Sequence, residues 1–294
     1  MFYSNKFLFS RFLLSVVLVF SFGWVNASQF DKGLLWKVES PGGKTSHLFG
    51  TIHLDDPRVT TLPAPVKKAF DKSANVVLEI KMDASVLIKL NLAMMLTDGR
   101  TLESIVGKPL YQRTLQAMEN YGMPEMVVAQ MKPWAVATTL ITPKPKTGIV
   151  LDMKLYQDAV SAGKQVDGLE TPMEQLSVFD GMDEKLQIKM LKDALDQLPE
   201  ISAMYKEMVQ IYLERDLAKM VAMSDRYMKQ SDSDLSDHFN EQVIVNRNHR
   251  MAERMQAHLK TGDAFIAVGT LHLPGKEGLL HLLQQKGYKL SRIY

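Results

Sequence analysis

Two stretches of the chain carry the same five-position pattern, Gly-Thr-x-His-Leu: Gly50-Thr51-Ile52-His53-Leu54 and Gly269-Thr270-Leu271-His272-Leu273. In each, an apolar run enters a glycine, which permits close backbone approach, and a histidine follows three residues later. Imidazole is the commonest metal ligand and titrates near neutral pH. A lone histidine at a strand end would be read as structural. A five-residue recurrence with the same Gly-to-His spacing points instead to two histidines delivered to one site.

Two carboxylates occupy comparable places. Glu79 follows Val76-Val77-Leu78 and precedes Ile80, so it lies in or at the end of a buried strand, where an unpaired charge is costly unless it meets a cation or a metal. Glu170 closes a shorter strand-like run at 164–169; a solvated strand end and a site residue are equally good readings of it. Phe239, Val243, Met251 and Met255 recur at four-residue steps, and Arg247 falls on that apolar stripe. An inward arginine needs an anion, either a carboxylate such as Glu79 or Glu170 or a developing oxyanion. The neighbours Asn246 and Asn248 rank lower, as common surface-helix residues, and His47, His238, His249, His258 and His281 default to solvated or packed roles.

Two histidines with one or two carboxylates suit Zn, Mn, Co or Fe, with a coordination position left for water. In that scheme His53, His272, Glu79 and Glu170 are the candidate metal ligands. Glu79, Glu170 and Arg247 are the candidate catalytic groups: a carboxylate as general base, and Arg247 against the charge of a tetrahedral intermediate. HExxH, GxSxG, P-loop and GxGxxG patterns are absent. The absence of cysteine excludes disulfides and thiolate chemistry.

The elements that must position these residues follow from periodicity. Segments 34–38 and 47–53, separated by Pro41-Gly42-Gly43, predict a β-hairpin. Residues 75–80 predict a strand buried on both faces, 164–169 a short strand, 264–271 an apolar strand, and 288–293 an edge strand. Helices are expected at 151–162, with Gly163 as the residue after the cap, from 183 to about 229 with an interruption at Pro199, at 236–260, and at 276–285. Methionine at helical spacing reads as core, or as a pliable apolar surface able to grip a peptide. The expected architecture is α/β or α+β: a central mixed sheet formed by the N- and C-terminal parts, in one domain over 28–294, with a large helical insertion over about 84–260.

Lys6 and Arg11 precede the apolar run 12–25, which ends in Val25-Asn26-Ala27. This predicts a signal peptide over 1–27, cleaved after Ala27, and export to the periplasm of a Gram-negative bacterium. The run of about 14 residues is short of the roughly 20 that a membrane span needs, so no stable span is expected after cleavage. Removing the signal leaves 33 basic against 33 acidic residues, a balance with no footprint for nucleic acid.

The motifs GTIH (50–53), VVLEI (76–80), KPW (132–134), GLET (168–171), NRNHRM (246–251) and VGTLHLPGKEGLL (268–280) run in order along nearly the whole mature chain. Together they resemble the TraB/GumN group, especially its bacterial GumN-like (YbaP-type) members. The resemblance implies that His53, Glu79, Glu170, Arg247 and His272 are the corresponding site positions. The wider group includes the Tiki metalloproteases, which use paired GxxH motifs and acidic residues with a divalent metal such as Mn or Co. It also includes pheromone-shutdown factors and, more distantly, erythromycin-esterase-like and haem-binding ChaN-like proteins. The expected function is a metal-dependent hydrolase, foremost a protease, acting on a peptide or small-molecule substrate. The alternative is a cell-envelope protein that binds or sequesters a peptide, haem or other small ligand without turnover.

Overall fold

A computed structural model describes residues 29–144, 147–231 and 233–294. The expected signal peptide lies outside them, as does its cleavage site. Among the described residues no helix is long and apolar enough to cross a membrane.

The hairpin forms as its sequence predicts: β1 (Leu35–Glu39) and β2 (Thr45–Thr51) pair antiparallel, with Leu35 opposite Phe49 and Glu39 opposite Thr45. β3 (Asn75–Leu78), β4 (Gln165–Gly168), β5 (Ala264–Gly269) and β6 (Lys289–Arg292) complete a six-stranded mixed sheet in the order β4-β3-β5-β2-β1-β6. β4, β3, β5 and β2 are mutually parallel, so their carboxyl ends share one edge. That edge is where ligands of open α/β sheets bind. The fold is α/β, and β4 comes from the middle of the chain, within the stretch otherwise helical.

β5 is buried along almost its whole length, as a central parallel strand covered on both faces must be. Phe265 meets Phe49 and Phe70 at ring separations of 5.8 and 5.4 Å. Gly163 takes φ +67° just past the helix Leu151–Ser161, and its N–H bonds to Val160 O at 3.0 Å, the expected helix stop.

A second apolar cluster sits in the helical part, where the helices Pro133–Ile141 and Glu184–Glu214 pack together around Trp134, Leu140, Leu191 and Leu195. The KPW motif serves this packing. Pro133 opens its helix, and Lys132 Nζ and Trp134 Nε1 both donate to Asp180 Oδ1, at 2.6 and 3.1 Å. The indole also stacks on Phe179, 5.8 Å away.

β2 ends at Thr51 rather than 53, β3 at Leu78 rather than 80, and the last helix begins at Leu279 rather than 276. Three larger differences have an identifiable cause. Pro199 does not interrupt its helix, which runs unbroken over Glu184–Glu214. The backbone bond lost at proline is offset by burial of Leu191, Ala194 and Leu195 before it and Val209, Ile211 and Tyr212 after it. The chain turns at Arg215, left-handed at φ 57°. The expected helix 236–260 is a composite: Ser233–His238 is α, Phe239–Val245 is π, and Asn246–Thr261 is α again. Finally, β5 stops at Gly269 rather than 271, because Thr270–His272 winds into a 3-10 turn whose Thr270 Oγ1 donates to Thr51 O at 2.6 Å.

Candidate active site

The two Gly-Thr-x-His-Leu copies are neighbours, built on the adjacent parallel strands β2 and β5. Thr51 pairs with Gly269 rather than with Thr270, so the second copy is displaced by one residue along the sheet. The glycines make the approach possible. A Cβ on Gly50 would stand 2.8 Å from Leu273 Cδ1 and 3.1 Å from Thr270 Oγ1 of the other copy. A Cβ on Gly269 would stand 3.2 Å from Glu79 Oε1 and 3.5 Å from His272 Cδ2. The first glycine therefore joins the motifs, and the second leaves room for the carboxylate and imidazole.

His272 is buried at the end of the 3-10 turn, with Nδ1 2.7 Å from Asn248 Oδ1. The Asn248 amide nitrogen donates to Glu277 O at 2.7 Å, which turns its oxygen toward the imidazole. Nδ1 must then carry the proton, and Nε2 presents a lone pair. Nε2 stands 3.7 Å from Glu79 Oε1. Burial drives the pKa of His272 down to about 4, so the ring is neutral at pH 7.

His53 follows the end of β2 by two residues, with Nδ1 2.7 Å from Asp152 Oδ2. Among the described residues that buried oxygen meets no other donor, while Asp152 Oδ1 accepts from Thr51 Oγ1 at 2.7 Å. The Asp152 charge raises the His53 pKa to about 9, against the opposing effect of the surrounding protein. The ring keeps 62 % of its surface open, and the solvent reaching it tempers both effects. It opens on a cleft of about 700 Å³ whose rim carries Asp56, Arg58, Lys144 and Lys206.

Glu79 and Glu170 extend beyond β3 and β4 and are held side by side by the backbone, Leu169 N to Leu78 O at 2.8 Å and Glu170 N to Glu79 O at 2.7 Å. Both are buried. Arg247 lies between them, its terminal nitrogen 2.6 Å from Glu79 Oε2 and 2.8 Å from Glu170 Oε2, with Nε 2.9 Å from the latter. Gln175 Nε2 donates to both carboxylates at 3.0 Å. Arg250 closes on Glu170 Oε1 at 2.6 Å. Glu79 Oε1 accepts from Gly269 N at 2.6 Å. Burial would raise the Glu79 pKa, yet the carboxyl is held below its ordinary value, and with His272 neutral the holding groups are Arg247, His53 and the Gly269 N–H.

The structure thus gathers Glu79, Glu170, Arg247 and His272 in one buried network and sets His53 at the cleft wall beside it. Arg247 meets both of the carboxylates proposed as its partners. Asp152, Gln175 and Arg250 went unnoticed in the sequence, and Asn248, ranked low there, is fully buried. Only Arg250 had a local signal, one turn beyond Arg247 on the same helix face.

The TraB/PrgY/gumN family model matches residues 34–292. The chain belongs to this family. It is similar to metalloprotease TIKI2 of Danio rerio, 25% identical over 90% of this chain and 62% of the relative, and to metalloprotease TIKI1 of the same fish, 24% identical over 90% and 64%. It is also similar to the uncharacterized protein YbaP of Shigella flexneri, 23% identical over 84% of this chain and 90% of that protein. The chain spans less than two thirds of the Tiki relatives' length. No solved structure matches it significantly.

The donor chemistry bears on a metal as follows. Among the described residues no group of three or more His, Cys, Asp or Glu side chains is placed so that it could hold a metal ion. Each histidine nevertheless has Nδ1 engaged by an oxygen, the arrangement that orients a metal-binding imidazole and leaves Nε2 as the ligand atom. Glu79 Oε1 lies beside one of those Nε2 atoms. Glu170 differs, since guanidinium groups take both of its oxygens. Of the four expected ligands, His53, His272 and Glu79 each keep a donor atom that no guanidinium takes, whereas both oxygens of Glu170 are taken.

Proposed function

We propose that the protein is a metal-dependent hydrolase that cleaves peptide bonds, with His53, His272 and Glu79 holding the ion. The observation that carries this reading is the matched engagement of the two imidazoles, Asp152 on Nδ1 of His53 and Asn248 on Nδ1 of His272, at the carboxyl ends of adjacent strands. The metalloprotease names of two relatives point the same way. An ion of the Mn, Co, Zn or Fe class, when bound, supplies Lewis acidity and an acidified water at neutral pH.

The remaining work falls to the chain. Arg247 keeps Glu79 ionised and fixes its plane, while Glu170, locked by Arg247, Arg250 and Gln175, anchors the guanidinium. His53 faces the cleft in which a peptide lies against mainly apolar walls with charged groups among them. Export to the periplasm, with a start at Ser28 after cleavage, completes the proposal and is tested by sequencing the N-terminus of the secreted form.

The activity test incubates the purified mature protein with a quenched-fluorescent peptide library, before and after chelation and Mn2+ or Co2+ readdition. Cleavage that chelation removes and metal restores is expected. Cleavage that survives His53→Ala with His272→Ala, or a protein that takes up no divalent metal, overturns the reading.

A further inference from the structure

Leu271, the variable residue of the second motif, lies between Thr270 and His272 and lines a second cavity of about 330 Å³. Its walls are apolar and include seven methionines, among them Met204 and Met208 of the Glu184–Glu214 helix and Met220 and Met223 of the Leu217–Met228 helix. Native interiors are close-packed. Seven flexible side chains able to collapse inward surround a void instead, a volume at the lower end of small-ligand pockets. Methionine-rich walls suit occupants of varied shape.

The void adjoins the site on two sides. Val243, on the π segment, lines it, and its carbonyl oxygen accepts from Arg247 at 3.5 Å. Ile201 and Tyr205, one helical turn apart, line both this void and the cleft that holds His53. Ile201 and Tyr205 thus form the shared wall, so a chain lying in the cleft passes within one layer of side chains of the methionine pocket. Charge separates the two spaces: the cleft carries Asp55, Asp56, Arg58, Lys144 and Lys206, whereas among the described residues Asp193 is the single carboxylate along the pocket wall.

We infer that the methionine-lined cavity is the specificity pocket of the cleft, taking one bulky apolar side chain (Leu, Met or Phe) of a polypeptide that lies past His53. This deepens the peptide-hydrolase reading and rests on it for the cleavage step, though not for binding. It selects substrates that expose a large apolar residue in an extended segment.

The test uses paired fluorescein-labelled peptides that differ in one position, Phe or Ala. Binding to the full-length mature His53→Ala variant is read by fluorescence anisotropy, which needs no turnover, and kcat/KM is read with the wild-type protein. The Phe peptide is expected to bind at least about ten-fold more tightly, the usual discrimination of an apolar pocket. Ser224→Trp, which fills the pocket from its wall, is expected to reduce the preference below about two-fold. Met204→Ala, which enlarges it, is expected to move the preference from Phe to Trp.

Equal binding of the two peptides overturns the inference. So does a Phe preference that survives Ser224→Trp in a variant with the wild-type circular dichroism and melt, or a preference that Met204→Ala leaves unmoved should the tryptophan variant not fold. Decanoate binding in the pocket without any peptide preference overturns it in favour of a free lipid. Selective binding without cleavage of any peptide upholds the pocket and defeats the hydrolase reading.

Discussion

Asn248 Oδ1 lies 2.7 Å from Nδ1 of His272, while the Asn248 amide is committed to Glu277 O, so one buried side chain fixes both the tautomer and the orientation of the imidazole. Asn248→Ala should weaken binding of Mn2+ or Co2+ by about 10- to 100-fold, the usual effect of removing a residue that orients a ligand. Calorimetric metal titration measures this, and an unchanged affinity would show that the imidazole orients without help.

Arg247 separates two buried carboxylates. Arg247→Met leaves Glu79 and Glu170 side by side with Gln175, Arg250 and the Gly269 N–H to compensate, and should cost about 3–5 kcal/mol in urea denaturation. Adding Glu79→Gln should return part of that loss, because the two changes share one interaction. Strict additivity would place the cost elsewhere.

Gly50 and Gly269 are equivalent in sequence and unlike in consequence. Gly50→Ala forces its Cβ onto Leu273 and Thr270 and should cost about 1–3 kcal/mol of stability, read as a lower melting temperature. The Cβ of Gly269→Ala crowds Glu79 Oε1 and the His272 ring, so its main effect should be on metal affinity and kcat. Equal melting losses with metal affinity intact would refute the distinction.

Glu174 supplies a pH signature away from the candidate ligands. Hydrogen bonds from Arg254 and from the backbone and hydroxyl of Thr171 bring its pKa from the ordinary 4.5 to about 2. A carboxylate with a lowered folded pKa stabilises the fold fully above its unfolded pKa, and that stability is lost as pH falls through the folded value. The wild type should therefore lose about 1 kcal/mol more than Glu174→Gln between pH 5 and pH 2, a modest figure because both partners are partly exposed. Parallel stability curves for the two proteins would remove Glu174 from the account.

The strands were legible because β2, β3 and β5 are apolar runs bounded by turn residues, and the histidines because their motif recurs. Arg247 was legible from its place on an apolar stripe. Asp152 was not, since an acidic residue in the first turn of a helix is common for reasons of the helix dipole alone, and its pairing with His53 depends on how that helix docks beside β2. Gln175 was hidden likewise: the capping box of Thr171 and Glu174 marks where its helix begins, but not which residues its side chains will meet. Pro199 misled for a complementary reason, as local propensity yields to packing on both sides of the proline.

The π segment Phe239–Val245 holds the turn just before Arg247 wider than an α-helix would. Such a bulge behaves as a one-residue surplus, and deletion of a single residue there would let the helix rewind as α. Rewound as α without that deletion, the segment would instead swing everything upstream by about 100° relative to Arg247 and Asn248, carrying Phe239 and Val243 off the methionine pocket. The wide winding of this one turn is thus what aims Phe239 and Val243 at the methionine pocket while Arg247 stays between the two carboxylates.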